Sequence, residues 1–364
     1  MTESITRPIR APRRWLTSAG SIVAIAVLVV GCTSNEPEDE GSGEESSEDG
    51  SGDDGSTDAA SANDELGEEV VIGFSGPEAD HGWLAAINEF AEQEGDRWDD
   101  VDLRMAEGAN DPNVQIQQVE TFINEGVDAI VILPSDGATM TDVAIQAMNA
   151  GIPVVNVDRE FTSPFAARAT ILGDNYGMGV SAGTYACELI AENDIQDPVI
   201  AEIAGIDSLE LTQDRSQGFA DALSDCGEEV DNRVAAEFTV QSGEEEASNL
   251  LQAAPEIDII WNHDDDQGVG VKQAFDNAGR DEFFFMGGAG SCNAMEWIQN
   301  GEMESTVLYP PTQAADGVRL ARLIAQDRGM SDLVQVEVPT RIVLNAPVVT
   351  AENVEEYLSL CFES

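Results

Sequence analysis

The chain has 364 residues, of which 42% are apolar, 16 are basic and 71 are acidic, so its formal net charge is −55. This length and apolar content suffice for two domains with cores of their own and exclude a wholly disordered chain. The acidity makes nucleic acid and anionic lipid head groups poor partners, because both need a positive surface. Since it persists from Val70 to the end, we attribute it to a salty habitat, in which ions screen self-repulsion.

Residues 1–31 have the pattern of a lipoprotein signal peptide. Four arginines precede an uncharged run that is too short for an ordinary membrane span: Arg7, Arg10, Arg13 and Arg14, then residues 15–30. The run ends in VVGC, which is similar to the lipobox of prokaryotic lipoproteins and makes Cys32 the expected lipidation site. An ordinary secretory peptide or an uncleaved anchor is the alternative, and the paired arginines leave both the Sec and twin-arginine export routes open.

Residues 32–69 are rich in Glu, Asp, Gly and Ser, as in NEPEDEGSGEESSEDGSGDDGSTDAA. Such a segment cannot bury a core, and its like charges extend it. We therefore expect an acidic disordered tether that holds the folded part off the outer face of the cytoplasmic membrane.

Four further cysteines lie in the exported part of the chain, at Cys187, Cys226, Cys292 and Cys361. They lack the CxxC spacing of metal ligands, so disulfides are expected. Three pairings are possible. We favour Cys187 with Cys226, because both fall on predicted helices that flank one strand, which leaves Cys292 with Cys361.

From Val70 onward, short apolar runs typical of strands buried on both faces alternate with helical patterns. The runs are Val70–Phe74, Ala129–Leu133, Pro153–Val157, Val199–Ile203, Ile257–Trp261 and Glu282–Met286. One helix is opened by Asp111-Pro112 and stopped by Gly126, and another, from Thr141, is closed by Gly151. This alternation predicts an α/β chain with two doubly wound domains of parallel strands.

Polar and aromatic residues follow these strands, where open parallel sheets bind their ligands. They occur in the stretches SGPEADHGW, DRE, IDSLELTQDR, NHDDDQ and AGSCN. An enzyme is not expected: the chain has two histidines and no HExxH, and it lacks the phosphate loop of an ATPase. Consecutive aspartates point to opposite faces of an extended loop, so neither a metal nor a cofactor is predicted.

Five segments of the chain occur in a fixed order: GVDAIVILPSDG, AGIPVVNVDRE, LGDNYGMG, RSQGF and NHDDDQGVG. The set resembles the type I periplasmic binding proteins of the ribose and galactose transport group, over residues 70–364. The resemblance implies two Rossmann-like lobes joined by a three-strand hinge. It places residues 70–173 and 310–339 in the N-terminal lobe and residues 174–309 and 340–364 in the C-terminal lobe, so the third crossing falls near Pro339–Thr340. A LacI-type repressor shares this fold but carries a basic DNA-binding headpiece, which this acidic chain lacks.

The resemblance also implies a set of ligand-binding residues. Asp158 and Arg159 match a pair that holds adjacent sugar hydroxyls, Trp83 and Phe238 match stacking aromatics, and Asp264 matches a binding asparagine. The remaining expected ligand residues are His81, Gln213, Arg215, His263 and Tyr309. Three positions depart from ribose binders: Gln213 replaces an arginine, Tyr309 a glutamine and Ala289 an aspartate, so ribose itself is not the expected ligand.

Structural alternatives stand beside these assignments. His81 and His263 could be surface residues, Phe238 could be core packing, and Asp158–Arg159 could be a structural ion pair. We expect Asp265 or Asp266 to cap a helix that begins near Gln267.

The sequence thus predicts a lipid-anchored, monomeric solute-binding protein for a neutral sugar or polyol. By the resemblance, it delivers the solute to an ABC permease and its ATPase by hinge closure. The alternative is a sensory receptor subunit for a sugar or an autoinducer-2-like signal, which reports to a chemoreceptor or kinase.

Overall fold

The computed structural model describes residues 63–329 and 338–364, which form two α/β lobes as the sequence predicts. The predicted signal peptide, Cys32 and the tether up to residue 62 lie outside the described residues. Of the helices described, none combines the length and the apolar character that crossing a bilayer requires.

The first lobe contains a six-stranded parallel sheet with helices on both faces. Its strands are β1 (Val70–Ser75), β2 (Val101–Met105), β3 (Ala129–Ile132), β4 (Val154–Val157), β5 (Ala169–Gly173) and β11 (Arg341–Leu344), in the order β11-β5-β4-β3-β1-β2. Its helices are α1 (Gly82–Asp96), α2 (Pro112–Glu125), α3 (Gly137–Asn149) and α9 (Gln313–Ala325).

The second lobe repeats this architecture, with one antiparallel strand at the edge. Its strands are β6 (Ile200–Ala204), β7 (Asn232–Ala235), β8 (Ile259–Asn262), β9 (Phe284–Ala289), β10 (Ser305–Leu308) and β12 (Val348–Thr350), in the order β12-β10-β9-β8-β6-β7. Its helices are α4 (Asn175–Glu192), α5 (Glu210–Cys226), α6 (Val240–Ala253), α7 (Asp265–Ala278), α8 (Cys292–Asn300) and α10 (Val354–Tyr357), followed by a 3₁₀ turn, Leu358–Leu360.

Local sequence accounts for the central elements. Every residue of β3, β4, β8 and β10 is buried, as expected of apolar strands covered on both faces. Helix α2 begins where the Asp111 side chain accepts a hydrogen bond from the Asn113 N–H (2.9 Å), and it ends at Gly126, whose φ of 70° is the left-handed conformation typical of helix ends.

Within residues 63–329 and 338–364, the chain passes between the lobes three times. The first passage follows Gly173 and the second follows Leu308, because α9 packs on the first sheet. The expected third passage at Pro339–Thr340 is wrong. Strand β11 still belongs to the first sheet, where Arg341 pairs with Thr170 of β5, so the chain passes at residues 345–347, before β12.

The expectation of a disordered tether is wrong for residues 63–69. Arg322 of α9 donates hydrogen bonds to the carbonyl oxygens of Asn63 (3.0 Å) and Glu65 (2.8 Å). The Gly67 N–H donates to the Asp100 carboxylate (2.6 Å). These contacts attach the end of the acidic segment to the first lobe.

The disulfides have the pairing that the sequence favours. Cys187–Cys226 joins α4 to α5, and Cys292–Cys361 joins the start of α8 to the C-terminal segment. Beside the second disulfide, the Cys292 N–H donates a hydrogen bond to the Phe362 carbonyl oxygen (2.8 Å). The second disulfide therefore fixes residues 361–364 to the second lobe.

Candidate functional site

A small cavity lies between the two lobes at the carboxyl ends of their strands. The first lobe contributes His81, Trp83, Asp158 and Arg159; the second contributes Leu211, Arg215, Phe238 and Asp264; and Tyr309 comes from the second passage between them. Eight of the ten predicted ligand residues therefore lie together. This is the position at which open α/β sheets hold their ligands.

The loop after β4 presents Asp158 and Arg159. Asp158 has a φ of 64°, a left-handed conformation that is rare for residues other than glycine and is often found at binding sites. Arg159 Nη1 donates to the Ser135 carbonyl oxygen (2.9 Å), and its Nε lies 3.6 Å from Asp158 Oδ2. Asn156 of β4 in turn donates to the Arg159 carbonyl oxygen (2.9 Å). The pair is thus fixed by the strand before it and by a neighbouring loop.

Tyr309 connects the passage between the lobes to this pair. Its hydroxyl donates to Asp158 Oδ1 (2.7 Å) and accepts a hydrogen bond from Asn175 Nδ2 (3.1 Å). Its ring packs so closely against Gly173 that a Cβ there would overlap it. Burial and the nearby Asp158 carboxylate raise the pKa of Tyr309, so the phenol stays protonated and remains a donor.

Aromatic rings from both lobes form the apolar walls of the cavity. Trp83, on the first turn of α1, donates from its indole Nε1 to the Tyr309 carbonyl oxygen (2.9 Å), and the two rings lie 5.6 Å apart. Phe238 has a left-handed φ of 58°, and its ring centroid lies 6.3 Å from that of His81. The His81 Nδ1 is 2.6 Å from Asp80 Oδ1. Phe238 is buried, but it also lines the cavity. Core packing is therefore not its only role.

Arg215, on α5, supplies the second guanidinium group of the cavity. Its Nε donates to Asn175 Oδ1 (2.9 Å), and its Nη1 donates to the His263 carbonyl oxygen (3.1 Å). Its Cζ also lies 4.7 Å from the centroid of the Tyr309 ring. A planar fork fixed on three sides keeps a defined orientation toward a ligand.

The three consecutive aspartates have three different roles. Asp264 is the N-cap of α7, since its Oδ1 accepts from the N–H groups of Asp266 (2.9 Å) and Gln267 (3.3 Å), and it also lines the cavity. The expectation that Asp265 or Asp266 caps this helix is therefore wrong. The helix begins two residues earlier than predicted, which places Asp264 at the cap.

Asp265 and Asp266 point away from Asp264. Asp265 accepts from the N–H groups of Gly288, Gly290 and Ser291 and from the Thr306 hydroxyl, all at 2.7–2.9 Å. Asp266 accepts from the Trp83 N–H of the other lobe (2.8 Å). Within residues 63–329 and 338–364, no group of three or more His, Cys, Asp or Glu side chains is arranged to hold a metal ion.

The sequence of this two-lobed chain matches the family model described as "Periplasmic binding protein domain" over residues 72–329. The chain belongs to the periplasmic binding proteins. A ribose import binding protein of Bacillus subtilis is 26% identical over 267 residues, which cover 71% of this chain and 85% of that protein.

Solved structures of periplasmic binding proteins give the same result. A solute-binding protein of an ABC transporter from Bacillus halodurans, with bound myo-inositol, has a TM-score of 0.72 and 26% identity, covering 80% of this chain and 98% of that one. The fructose-binding periplasmic domain of a hybrid two-component system has a TM-score of 0.70 and 27% identity, covering 80% and 94%.

Two predicted ligand residues of this periplasmic binding protein do not line the cavity. His263 is fully buried beneath it, with its Nε2 2.8 Å from Glu202 Oε1 and its ring 4.2 Å from that of Trp261. Burial lowers the pKa of His263 below its ordinary value despite Glu202. Gln213 is exposed on α5 and donates to the Asp207 carbonyl oxygen (3.0 Å), in a larger cleft that shares Asp158 and Arg159 with the cavity.

Leu211 and Asn175 are site residues that the sequence did not single out. Leu211 lines the cavity, and Asn175 holds both Tyr309 and Arg215. Asn175 lies within the segment LGDNYGMG, directly after the first passage between the lobes, so its position was a usable signal. Leu211 gave no such signal, because an apolar residue in a helix most often belongs to a core.

Proposed function

We propose that this chain is an extracytoplasmic solute-binding lipoprotein of an ABC importer, which closes around a neutral sugar or polyol. The observation that carries the proposal is the composition of the interlobe cavity. It combines two aromatic side chains, Trp83 and Phe238, with two acidic and two basic residues, Asp158, Asp264, Arg159 and Arg215. Aromatic faces cover the C–H surface of a sugar ring, while charged groups bind its hydroxyls at the edge.

The balance of charges favours a neutral ligand. An anion would lie beside the like charge of Asp158, and a cation would lie beside the like charge of Arg159 or Arg215. Either arrangement is unfavourable in a desolvated site. A hydroxyl group both donates and accepts hydrogen bonds, so vicinal hydroxyls suit a carboxylate beside a guanidinium.

Tyr309 supports a ligand other than ribose. Its hydroxyl already uses Asp158 Oδ1, so a hydroxyl-binding position is taken by the protein itself. By the resemblance, this position is a glutamine in ribose binders, and the exchanges at Gln213 and Ala289 alter the surroundings further. We infer that the ligand is another pentose, a hexose or a sugar alcohol.

The other parts of the proposal concern transport of the solute and attachment to the membrane. The two lobes suit hinge closure, and the relatives include an import protein and an ABC transporter solute-binding protein. The partners are then a permease and its ATPase, with the protein acting as a monomer that binds and does not catalyse. Attachment through lipidated Cys32 to the outer face of the cytoplasmic membrane, after removal of residues 1–31, rests on the sequence.

A thermal-shift panel at high salt tests the binding function. D-ribose, L-arabinose, D-fructose, D-galactose, xylitol and myo-inositol are added in excess, and a binder raises the melting temperature by mass action. Trp83→Ala and Asp158→Ala should abolish this rise while leaving a cooperative transition. Phe165→Ala is the matched aromatic control, since Phe165 is 78% exposed outside the cavity, and it should respond like wild type. A wild-type protein that responds to no member of a broad sugar and polyol panel would refute the proposal.

A sensory receptor subunit is the second candidate. It is favoured by one observation, the similarity to the fructose-binding periplasmic domain of a hybrid two-component system. The cavity serves either function, so the distinction lies in the partner. Deleting the gene should abolish uptake of the labelled solute if the protein feeds a permease. Intact uptake with loss of solute-dependent signalling would favour the sensor.

A further inference from the structure

The N-terminus of α1 is capped from the opposite lobe. His81, at the N-cap position, makes no side-chain hydrogen bond to the helix. The first N–H groups of an α-helix have no partner within the helix, so the Trp83 N–H needs an acceptor from elsewhere. Asp266 of the second lobe provides it, with its Oδ2 2.8 Å from that nitrogen.

The contact is buried and joins two helix beginnings. Asp266 is 2% exposed and lies in the first turn of α7, while Trp83 is 5% exposed and lies in the first turn of α1. Both helix N-termini favour a negative charge, so one carboxylate stabilises two helix ends in different lobes. The residue that it holds is the same tryptophan that covers the cavity.

The C-terminal segment reinforces this contact. A Cβ at Gly82 would overlap the Glu363 carbonyl oxygen and would lie 2.6 Å from Asp266 Oδ1 and 2.7 Å from the Ser364 Cα. All three atoms belong to the second lobe, whose disulfide Cys292–Cys361 fixes this segment. Glycine at the first position of α1 therefore permits the close approach of the lobes.

We propose that Asp266 is a positioning residue that latches the lobes together by capping α1, and that it thereby fixes Trp83 over the ligand. Asp266 does not line the cavity, so its effect on binding acts through closure. A solute enters a buried interlobe cavity only when the lobes separate, and separation breaks this bond. The expected effect of Asp266 on ligand binding rests on the proposed function. The latch itself does not, because it is a contact between the lobes.

Hydrogen exchange tests the latch without requiring a ligand. The Trp83 amide has no acceptor within its helix, so its protection reports the Asp266 contact. In the full folded chain, Asp266→Ala should accelerate exchange of the Trp83 amide about 10-fold or more, as expected for loss of a charge-assisted hydrogen bond. Equal exchange in wild type and variant, with and without the panel sugars, overturns the proposal.

Binding kinetics test the consequence, and the probe is whichever member of the thermal-shift panel raises the melting temperature most: D-ribose, L-arabinose, D-fructose, D-galactose, xylitol or myo-inositol. Asp266→Ala should raise the dissociation rate constant about 10-fold or more and change the association rate constant little. In Gly82→Ala, the new Cβ is obstructed only when the lobes close. This variant should also raise the dissociation rate constant with little change in the association rate constant, without weakening either lobe. If no probe binds, the proposed function is contradicted, while exchange at Trp83 still decides the latch.

Asp258→Ala is the matched control. Asp258 also accepts a backbone N–H, that of Val199 (2.7 Å), but within the second lobe. Its replacement should lower the melting temperature while leaving Trp83 exchange and ligand dissociation unchanged. If Asp258→Ala accelerates dissociation as much as Asp266→Ala does, the effect is general destabilisation and the latch is overturned.

Discussion

Asp100 in the first lobe and Asp264 in the second are buried to the same extent, 4% and 5% exposed, yet their carboxyl groups have opposite pKa shifts. Burial acts against ionisation of Asp100, but its hydrogen bonds to Arg322 and Gln326 lower its pKa far below the ordinary value. Burial and the neighbouring charges of Asp266 and Asp265 raise the pKa of Asp264 well above it. Burial alone therefore does not determine the charge state.

The difference lies in the partners of each carboxylate. Arg322 is fully buried and binds Asp100 through two hydrogen bonds, from Nε and Nη2, each 2.7 Å long. From the described part of the chain, the Asp264 carboxylate accepts hydrogen bonds only from backbone N–H groups at the start of α7, and it faces the cavity. The first arrangement is a structural ion pair. The second keeps a carboxyl group poorly compensated in the cavity that we propose binds the ligand, as expected when a site is built for function at some expense of stability.

Asp100→Asn should give the largest effect. The substitution preserves shape but leaves the Arg322 guanidinium, which also stacks 3.9 Å from the Trp98 ring, without its anionic partner in the core. Breaking a buried pair by removing one partner costs roughly 3–5 kcal/mol. Urea unfolding at fixed salt, at pH 7.5, should show this loss in the free energy of unfolding.

The pH dependence of Asp100→Asn follows from the lowered pKa of Asp100. A depressed pKa contributes stability above the unfolded value of 3.8, and that stability is lost as the pH falls toward the folded value. The gap between wild type and variant should therefore narrow in acid. A loss under 1 kcal/mol at pH 7.5 would show that the pair is not the structural element described.

Asp264→Asn should have the opposite sign. Asparagine caps a helix about as well as aspartate, and it removes a buried charge that burial and like charges disfavour. At pH 7.5, the ligand-free variant should be more stable than wild type by about 1 kcal/mol or more, since each unit of pKa shift corresponds to about 1.4 kcal/mol. Urea unfolding of ligand-free protein measures the difference.

The pH dependence distinguishes this cause from altered packing. A raised folded pKa gives stability that is present below the unfolded value of 3.8 and is lost as the pH rises toward the folded value. The advantage of Asp264→Asn should therefore be near zero at pH 3.8 and grow with pH. An advantage that does not change with pH would contradict the assignment.

The sequence predicted central elements of the fold better than its edges. Central strands such as β3 and β8 are buried on both faces and form continuous apolar runs, which are visible without a structure. The edge strand β2, VDLRM, is exposed at alternate residues and carries charges, so it gave no such run. Strand β11, RIVL, was assigned to the wrong lobe because its pairing with β5 depends on residues far away in sequence.

The sequence predicted which residues meet at the cavity but not the direction of each side chain. Eight of ten predicted residues line the cavity because the carboxyl ends of parallel strands meet at one edge. His263 was misassigned because a histidine after a strand can point into the core as readily as toward a ligand, and here Glu202 holds it. The role of Asp266 depends on a contact with the other lobe, 183 positions away, which no local pattern encodes.

The ion pairs of Lys272 at the surface should contribute less to the free energy of unfolding than the buried pair of Asp100. Lys272 Nζ, on α7, lies 3.1 Å from Glu302 and 3.3 Å from Asp276, whose side chains are 46% and 68% exposed. Lys272→Met keeps the aliphatic packing and removes the pairs, and exposed pairs contribute about 1 kcal/mol or less. The loss in the free energy of unfolding should be in that range at 0.1 M KCl and should disappear at 2 M KCl, where screening extends over only a few ångströms. A salt-independent loss as large as that of Asp100→Asn would mean that burial is not what separates structural ion pairs from surface pairs in this protein.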